Sequence, residues 1–222
     1  MKLVIFDFCE TLVRFQTADA FVHFVMQKLN KKESKFLRLL GAFLFKIKVI
    51  ALINTFFPAF NPSKRLTLWQ LRGVSETEME RCAQEFEQTQ IRSQLIPELM
   101  EQLRLHQAAG DHIIIISGGY EPYLNYFAQQ EGISVVMGTK MKANKGKLTG
   151  TFDGADCLKD EKVIRLNDWL LKQKTNYSSS VVYSDSATDM PLFVWVDEPV
   201  VVSNKKSQAW AQKLQFKEII HQ

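Results

Sequence analysis

Five short runs of apolar, mostly β-branched residues recur along the chain. They are KLVIFD (2–7), HIIIIS (112–117), ISVVMG (133–138), SVVYSD (180–185) and PVVVS (199–203). Strands that are apolar along their whole length are typically buried on both faces, and the stretches between the later runs have helical patterns. The alternation predicts an α/β fold in which helices cover both faces of a doubly wound parallel sheet.

The connection after the first strand is much longer than a simple crossover requires. About 100 residues separate Asp7 from His112, whereas a crossover helix needs about a dozen. Helical patterns cover 17–30, 35–57, 75–94 and 96–110, and Ser75 stands three residues before Glu78, as in a capping box. We therefore predict a core domain formed by residues 1–12 and 93–222, with an α-helical cap domain inserted at 13–92.

Positive charge is concentrated in the predicted cap. Residues 13–72 contain eleven Lys or Arg residues but only two acidic ones, Asp19 and Glu33, in a chain of net charge +4. This asymmetry is compatible with an anionic partner and equally with a solvated basic face. No interleaved aromatic platform or recognised nucleic-acid module accompanies the charge, so we expect no nucleic-acid partner.

The most apolar stretch of the chain is 36–60. Its longest charge-free run, 49–63, is shorter than the 18 or more residues of a membrane-spanning helix and contains Pro58 and Pro62. Two interpretations stay open, a buried cap helix and an amphipathic surface that meets a membrane or a lipid-like substrate. An odd number of cysteines without CxxC pairs, together with the absence of a signal-peptide pattern, favours a reducing cytoplasm.

Three acidic residues follow predicted strands. Asp7 ends the first strand, and Asp185 and Asp189 follow the fourth. Ligands of parallel α/β sheets collect beyond the carboxyl ends of the strands, where three oxygen ligands without a His or Cys cluster suit Mg²⁺. Capping of a helix is the alternative role for each of these residues taken alone.

A second group of residues suits a phosphate. Ser117 ends the predicted second strand, and Gly118 and Gly119 precede a helix expected to begin near 121 or 122, so a hydroxyl and main-chain N–H groups come together. Lys162 lies at the start of a helix, where a cation opposes the helix dipole. Alternatively, Ser117 to Gly119 form an ordinary turn that binds nothing. Lys159 is close enough in sequence to take the phosphate-binding role instead of Lys162.

Four motifs, taken together, resemble those of the haloacid dehalogenase superfamily. They are DFCETLV (7–13), IIIISGGY (113–120), DEKVIRL (160–166) and SDSATDMPLF (184–193). The order and the long first insertion are similar to the phosphoserine-phosphatase-like branch, and the Gly-bearing segment 138–162 resembles that branch too. The resemblance implies a Rossmann-like core with a helical cap between the first two motifs.

The same resemblance implies roles for individual residues. Asp7 would be the nucleophile that attacks phosphorus. The phosphoryl oxygens would be held by Ser117, Gly118 and Lys162. The Mg²⁺ ligands would be Asp7, Asp185 and the main-chain carbonyl of Cys9, with Asp189 as support or as a further ligand. A carboxylate can approach a phosphate dianion only when positive charge offsets the repulsion, so this grouping makes physical sense.

The chain departs from the family at Cys9, where phosphatases usually have a second Asp that acts as general acid and base. A thiol of pKa ~8.5 is a poor base at neutral pH. Three outcomes are compatible with this change: a slow phosphatase, a substrate whose leaving group needs little protonation, or transfer of the phosphoryl group to an acceptor other than water. Glu10 replaces the family's usual Gly and either supplies the missing acid or points to solvent.

We therefore predict a Mg²⁺-dependent phosphatase that acts on a small-molecule phosphate ester. A phosphoryl transferase and a non-catalytic phosphate-ligand binding protein are the alternatives. Gln16 stands where phosphoserine phosphatases of this branch have a Glu that meets the substrate amine. A lipid or sugar phosphate is therefore favoured over phosphoserine.

Overall fold

The computed structural model describes residues 1–31 and 61–222, and within them six strands form a parallel sheet while two more form a hairpin. The strands are β1 Leu3–Phe6, β2 His112–Tyr120, β3 Val135–Thr139, β4 Met141–Asn144, β5 Lys147–Phe152, β6 Ser180–Ser184, β7 Glu198–Asn204 and β8 Lys217–His221. The sheet order is β3-β2-β1-β6-β7-β8. The predicted parallel sheet is confirmed, and its strands include all five predicted runs.

Helices connect these strands. The described α-helices are α1 Thr17–Lys28, α2 Pro62–Trp69, α3 Glu76–Phe86, α4 Pro97–Ala108, α5 Glu121–Gln130, α6 Asp160–Leu170, α7 Met190–Trp195 and α8 Ala209–Lys213. A π-helical segment, Glu87–Ile91, and two short 3₁₀ helices, Arg92–Gln94 and Ala187–Asp189, complete them. The capping box predicted at the start of α3 is present, with Ser75 and Glu78 bonded in both directions.

Side chains of the central strands alternate between two apolar clusters. On β1, Val4 and Phe6 face one cluster, while Leu3 and Ile5 face the other. The helices that contribute to the first cluster are α1, α2, α3, α4 and α5, and those that contribute to the second are α6, α7 and α8. Helices therefore cover both faces of the sheet, as the continuous apolar runs predict.

The described part of the predicted cap consists of α1, α2 and α3. Phe21 of α1 and Phe86 of α3 belong to the same apolar cluster as Phe6 of the sheet. The division at 13–92 therefore stays a prediction. The predicted helix 35–57 and the apolar stretch 36–60 lie entirely outside the described residues. In the part of the chain that is described, no helix is long and apolar enough to cross a membrane.

Among the described strands, β4 and β5 of the hairpin and the edge strand β8 are those that the sequence did not predict, and the helices α2, α7 and α8 were not predicted either. The hairpin packs on α2, because a Cβ at Gly150 would lie 2.9 Å from Cα of Trp69. Main-chain hydrogen bonds of 2.8 Å run from Gly73 N–H to the Leu148 carbonyl and from Leu148 N–H to the Val74 carbonyl. The hairpin and the end of α2 thus form one bonded unit.

Candidate active site

A pocket of about 290 Å³ lies beyond the carboxyl ends of β1, β2 and β6. The seven residues predicted to form the site line it together: Asp7, Cys9, Ser117, Gly118, Lys162, Asp185 and Asp189. Lys159, which competes with Lys162 in the sequence, is absent from the lining. The structure thus brings the four motifs to one place, although the role of each residue stays a prediction.

Lys162 occupies the floor of this pocket. Its Nζ lies 2.8 Å from Asp7 Oδ1 and 2.6 Å from Asp189 Oδ2, and Ser184 donates a second hydrogen bond, of 2.6 Å, to the same oxygen of Asp189. Burial alone would lower the pKa of Lys162, but the two carboxylates raise it above its ordinary value. The ammonium is therefore charged and aimed at the predicted nucleophile.

Thr11 lies between two of the carboxylates. Its Oγ1 is 3.5 Å from Asp7 Oδ2 and 3.3 Å from Asp185 Oδ1, and it accepts a 3.1 Å hydrogen bond from the Asp185 N–H. The hydroxyl thereby fixes the end of β6 next to the end of β1. Sequence reasoning missed Thr11, although its position four residues after Asp7, in the same polar turn, was a usable signal.

Negative charge near Asp185 is only partly compensated. Burial, and then repulsion from Asp7, raises the pKa of Asp185 to about 8. Within residues 1–31 and 61–222, no three His, Cys, Asp or Glu side chains are grouped so that they could hold a metal by themselves. Mg²⁺ is usually held by one or two carboxylates, waters and substrate oxygens. The pair Asp7 and Asp185 fits that requirement.

Cys9 belongs to a chain of hydrogen bonds that leads away from the pocket. Its Sγ lies 3.0 Å from Thr17 Oγ1, which lies 2.7 Å from the Tyr123 hydroxyl. That hydroxyl accepts a 2.9 Å hydrogen bond from Tyr120 N–H. Burial, and then the charge of Asp7, raises the pKa of Cys9 to about 11. At neutral pH the group at this position is therefore a neutral thiol.

Ser117 lies within β2, which continues to Tyr120 rather than ending at Ser117 as predicted. The pairing of β2 with β3 shifts between Ile116 and Tyr120, and this irregularity frees the main chain for polar contacts. Gly119 N–H donates to Ser117 Oγ at 3.2 Å. A Cβ at Gly118 would lie 2.5 Å from Leu158 Cδ2, so glycine permits this close approach. The following helix begins at Glu121, as expected.

Glu10 does not line the pocket. It has a φ of 55°, a left-handed conformation that explains why glycine suits this position. The side-chain amide of Gln16 donates a hydrogen bond to its carboxylate, and the residue is exposed. In this conformation Glu10 does not take the place of an acid at Cys9.

The sequence model of the family described as haloacid dehalogenase-like hydrolase matches residues 4–193. The chain belongs to this family. A histidinol-phosphatase from Neisseria meningitidis serogroup C is 33% identical over 127 residues, which are 54% of this chain and 57% of that protein. A phosphoserine phosphatase from Streptococcus thermophilus is 30% identical over 95 residues, 43% of either protein. The chain spans about half the length of the curated relatives it matches.

A solved structure supports the fold over nearly the whole length. A protein of unknown function from Bordetella pertussis Tohama I superposes with a TM-score of 0.81 at 22% identity, covering 98% of this chain and 97% of that one. The match to the family model and the similarity to the phosphoserine phosphatase confirm the predicted resemblance to haloacid dehalogenase hydrolases and to their phosphoserine-phosphatase-like branch.

One further polar residue of this hydrolase-family pocket escaped sequence reasoning. Lys64 of α2 lines the pocket wall and forms an ion pair with Asp156, which precedes α6. Both side chains are buried. No motif contains Lys64, and in the sequence it is one of many basic residues of the predicted cap.

Proposed function

We propose that this protein hydrolyses phosphate monoesters through a phosphorylated Asp7. The observation that carries the proposal is the Asp7 carboxylate held 2.8 Å from the buried Lys162 ammonium, in a pocket that Ser117 and Asp185 also line. A carboxylate paired with a cation in a recess can meet a phosphate dianion without prohibitive repulsion. The phosphatase names of the two relatives support the same reaction class.

In the first step, a carboxylate oxygen of Asp7 bonds to phosphorus while the bond from phosphorus to the ester oxygen breaks. The Lys162 ammonium and the Ser117 hydroxyl face the phosphoryl oxygens and stabilise their charge. The leaving alkoxide takes a proton from solvent water, and the hydroxide that remains is neutralised when the second step releases a proton. In the second step, water attacks the phosphorus, and the bond to Asp7 breaks to release phosphate.

Magnesium fits the donor set of this pocket. Asp7, Asp185 and the main-chain carbonyl of Cys9 would hold it, and Asp189 would act as support because Lys162 and Ser184 already engage its Oδ2. When bound, Mg²⁺ supplies positive charge that offsets the repulsion between the carboxylates and the phosphate.

Cys9 makes the second step the slow one. A thiol whose pKa is raised to about 11 does not remove a proton from the attacking water at neutral pH. General acid and base assistance is typically worth on the order of 10²–10⁴ in rate. A slow phosphatase follows, and the same long-lived phosphorylated Asp7 favours transfer to an alcohol as the second candidate function.

The pocket wall away from Asp7 indicates which leaving groups the site favours. Among the described residues, this wall carries the neutral polar side chains of Gln16, Asn61 and Ser63 and the acidic side chain of Asp19. The positive charge of Lys64 is balanced by its ion pair with Asp156. This wall favours a leaving group that is polar and neutral or cationic. A sugar phosphate and the amino alcohol phosphate suggested by the name histidinol-phosphatase fit it. The lipid alternative depends on the stretch 36–60, which lies outside the described residues.

The test is a screen of phosphate release and of label retained on the protein. Wild type, Asp7→Asn and Asp168→Asn are compared with Mg²⁺ and labelled histidinol phosphate, phosphoserine, sugar phosphates and a lipid phosphate. Asp168 is exposed on α6 and serves as the control. We expect label on Asp7 and slow release in wild type and in the control, with neither in Asp7→Asn. If neither wild type nor Asp7→Asn releases phosphate or retains label while both still bind ligands, the protein is a phosphate-ligand binding protein and not an enzyme.

If added glycerol discharges a labelled wild-type enzyme much faster than water does, the transferase candidate is preferred. If the label leaves the enzyme at the same rate with and without glycerol, the transferase candidate is rejected.

A further inference from the structure

The ammonium of Lys64 is fully engaged inside the protein. Lys64 is 7% exposed, and its Nζ donates to the Gly118 carbonyl at 2.5 Å and to Thr139 Oγ1 at 3.1 Å while forming the ion pair with Asp156. The rings of Tyr120 and Phe152 lie 5.1 and 5.3 Å from it. An ammonium has three protons, and three acceptors use them.

The partners of Lys64 come from separate segments of the chain. Asp156 Oδ1 accepts a 2.6 Å hydrogen bond from Thr139 at the end of β3, and Asp156 Oδ2 accepts one of 3.2 Å from Asn61, which caps α2. The N–H of Cys157 donates to Thr139 at 3.1 Å. The network therefore fastens the start of α2 to two loops of the core.

Both of these loops lead to residues that face the phosphoryl group. Gly118 directly follows Ser117. Asp156 begins the turn that carries Leu158 into the space left by the missing Cβ of Gly118, and it stands six residues before Lys162. A shift of the Lys64 network would therefore move the Ser117 hydroxyl and the Lys162 ammonium relative to Asp7.

We propose that Lys64 is a positioning residue, which, through the Gly118 carbonyl and Asp156, holds Ser117 and Lys162 in the geometry that phosphoryl transfer requires. The inference rests on the proposed function and adds a role for a residue outside the four motifs. Lys64 has no donor left for a substrate, so it acts through the loops. Small misplacements of reacting groups are costly, because catalysis depends on their alignment.

The experiment compares Lys64→Met, Asp156→Asn and the double variant with wild type, and it uses Lys147→Met, on the exposed hairpin, as the matched control. Hydrolysis of para-nitrophenyl phosphate gives kcat and KM. Binding of orthovanadate, a phosphate analogue that resembles the transition state, is measured by calorimetry, and thermal unfolding reports stability. In Lys64→Met we expect kcat and vanadate affinity to fall on the order of tenfold, with KM within about threefold.

The double variant separates positioning from stability. Lys64→Met leaves a buried carboxylate unpaired, and Asp156→Asn removes that charge. We therefore expect the double variant to regain most of the lost thermal stability while kcat and vanadate affinity stay low. The control should match wild type in every measurement.

Three results overturn the inference. The first is recovery of kcat together with stability in the double variant, which makes Lys64 merely structural. The second is a rise in KM at unchanged kcat, which makes it a substrate ligand. The third is an unchanged kcat and vanadate affinity in Lys64→Met. If wild type hydrolyses no ester yet binds vanadate, and this binding weakens in Lys64→Met and in the double variant, the proposed function fails while the positioning role stands.

Discussion

Two buried lysines face the same pocket, and the charge around them differs. Among the described residues, Lys64 and Lys162 are the buried lysines. Lys162 contacts the carboxylates of Asp7 and Asp189, with Asp185 close by through Thr11. Lys64 contacts a single carboxylate, that of Asp156, and its other acceptors are neutral.

The difference is one of charge balance. The Lys64 network is neutral and has its hydrogen bonds satisfied, which suits a permanent link between α2 and the core. Three carboxyl groups lie near one ammonium at Lys162, so that buried region would carry an excess of negative charge when all three ionise, and the pKa of Asp185 is accordingly raised to about 8. Such an excess is costly unless a cation joins it. The first region is built to stay closed, and the second is built to receive charged ligands.

The largest expected effect is that of Lys162→Met. Removal of the ammonium that faces Asp7 should lower the rate of Asp7 phosphorylation on the order of 10²–10³-fold, because a charge-stabilising donor is lost at the reacting group. Rapid-quench measurement of labelled enzyme checks this. Lys64→Met, the matched removal of the other buried lysine, should cost much less. If the phosphorylation rate fell equally in the two variants, the two lysines would not differ in their contribution to the reaction.

The excess charge can be tested with the metal alone. Mg²⁺ at 100 times its Kd should stabilise the wild-type fold by about 2.7 kcal/mol, because it offsets the repulsion between Asp7 and Asp185. Asp185→Asn should abolish this rise in the free energy of unfolding, whereas Asp156→Asn should keep it. Thermal unfolding with Mg²⁺ and with EDTA measures it. A Mg²⁺ effect that persists in Asp185→Asn would place the ion elsewhere.

Cys9→Asp sharpens the account of the slow second step. A carboxylate at this position can assist the attacking water, with Thr17 as a hydrogen-bond donor, and hydrolysis of the phosphorylated enzyme should become about tenfold faster or more. Decay of label on Asp7 after a chase measures this rate. Cys9→Ser, which keeps a hydroxyl but supplies no base, is the control. No acceleration in Cys9→Asp would show that proton transfer does not limit decay.

The smallest effect concerns Glu10, which lies outside both lysine networks. Glu10→Gly should be about 1 kcal/mol more stable than Glu10→Ala, because only glycine adopts the φ of 55° without strain. Urea unfolding measures the difference, and phosphate release should be the same in both variants. A loss of activity in both variants would give the Glu10 carboxylate a role in the pocket.

The sheet could be predicted because its strands are continuous runs of β-branched residues, and the seven pocket residues could be predicted because they lie in the four motifs that carry the family resemblance. The carboxyl ends of these parallel strands meet at one edge of the sheet, and this edge brings the site residues together. Strand β8 was missed because Lys217 and Glu218 interrupt its short apolar run at the edge of the sheet. The hairpin β4–β5 was read only as Gly-bearing turns.

The Lys64 network could not be predicted in the same way. Its partners Gly118, Thr139 and Asp156 are separated from it by between 54 and 92 residues, and no spacing rule joins them. In the sequence, Lys64 looks like any solvated cation of a basic segment. Thr11 is the opposite case, since its place in the first motif made it available to sequence reasoning.

The hydrogen bonds between the hairpin and the end of α2 extend the reach of the Lys64 network. Leu148 exchanges main-chain bonds with Gly73 and Val74, so β4–β5 is held to the same segment that Lys64 fastens to the core. The two stay together, although about 70 residues separate them in the chain. A fluorophore attached at the hairpin tip, far from the chemistry, would therefore report loosening of α2 in Lys64→Met.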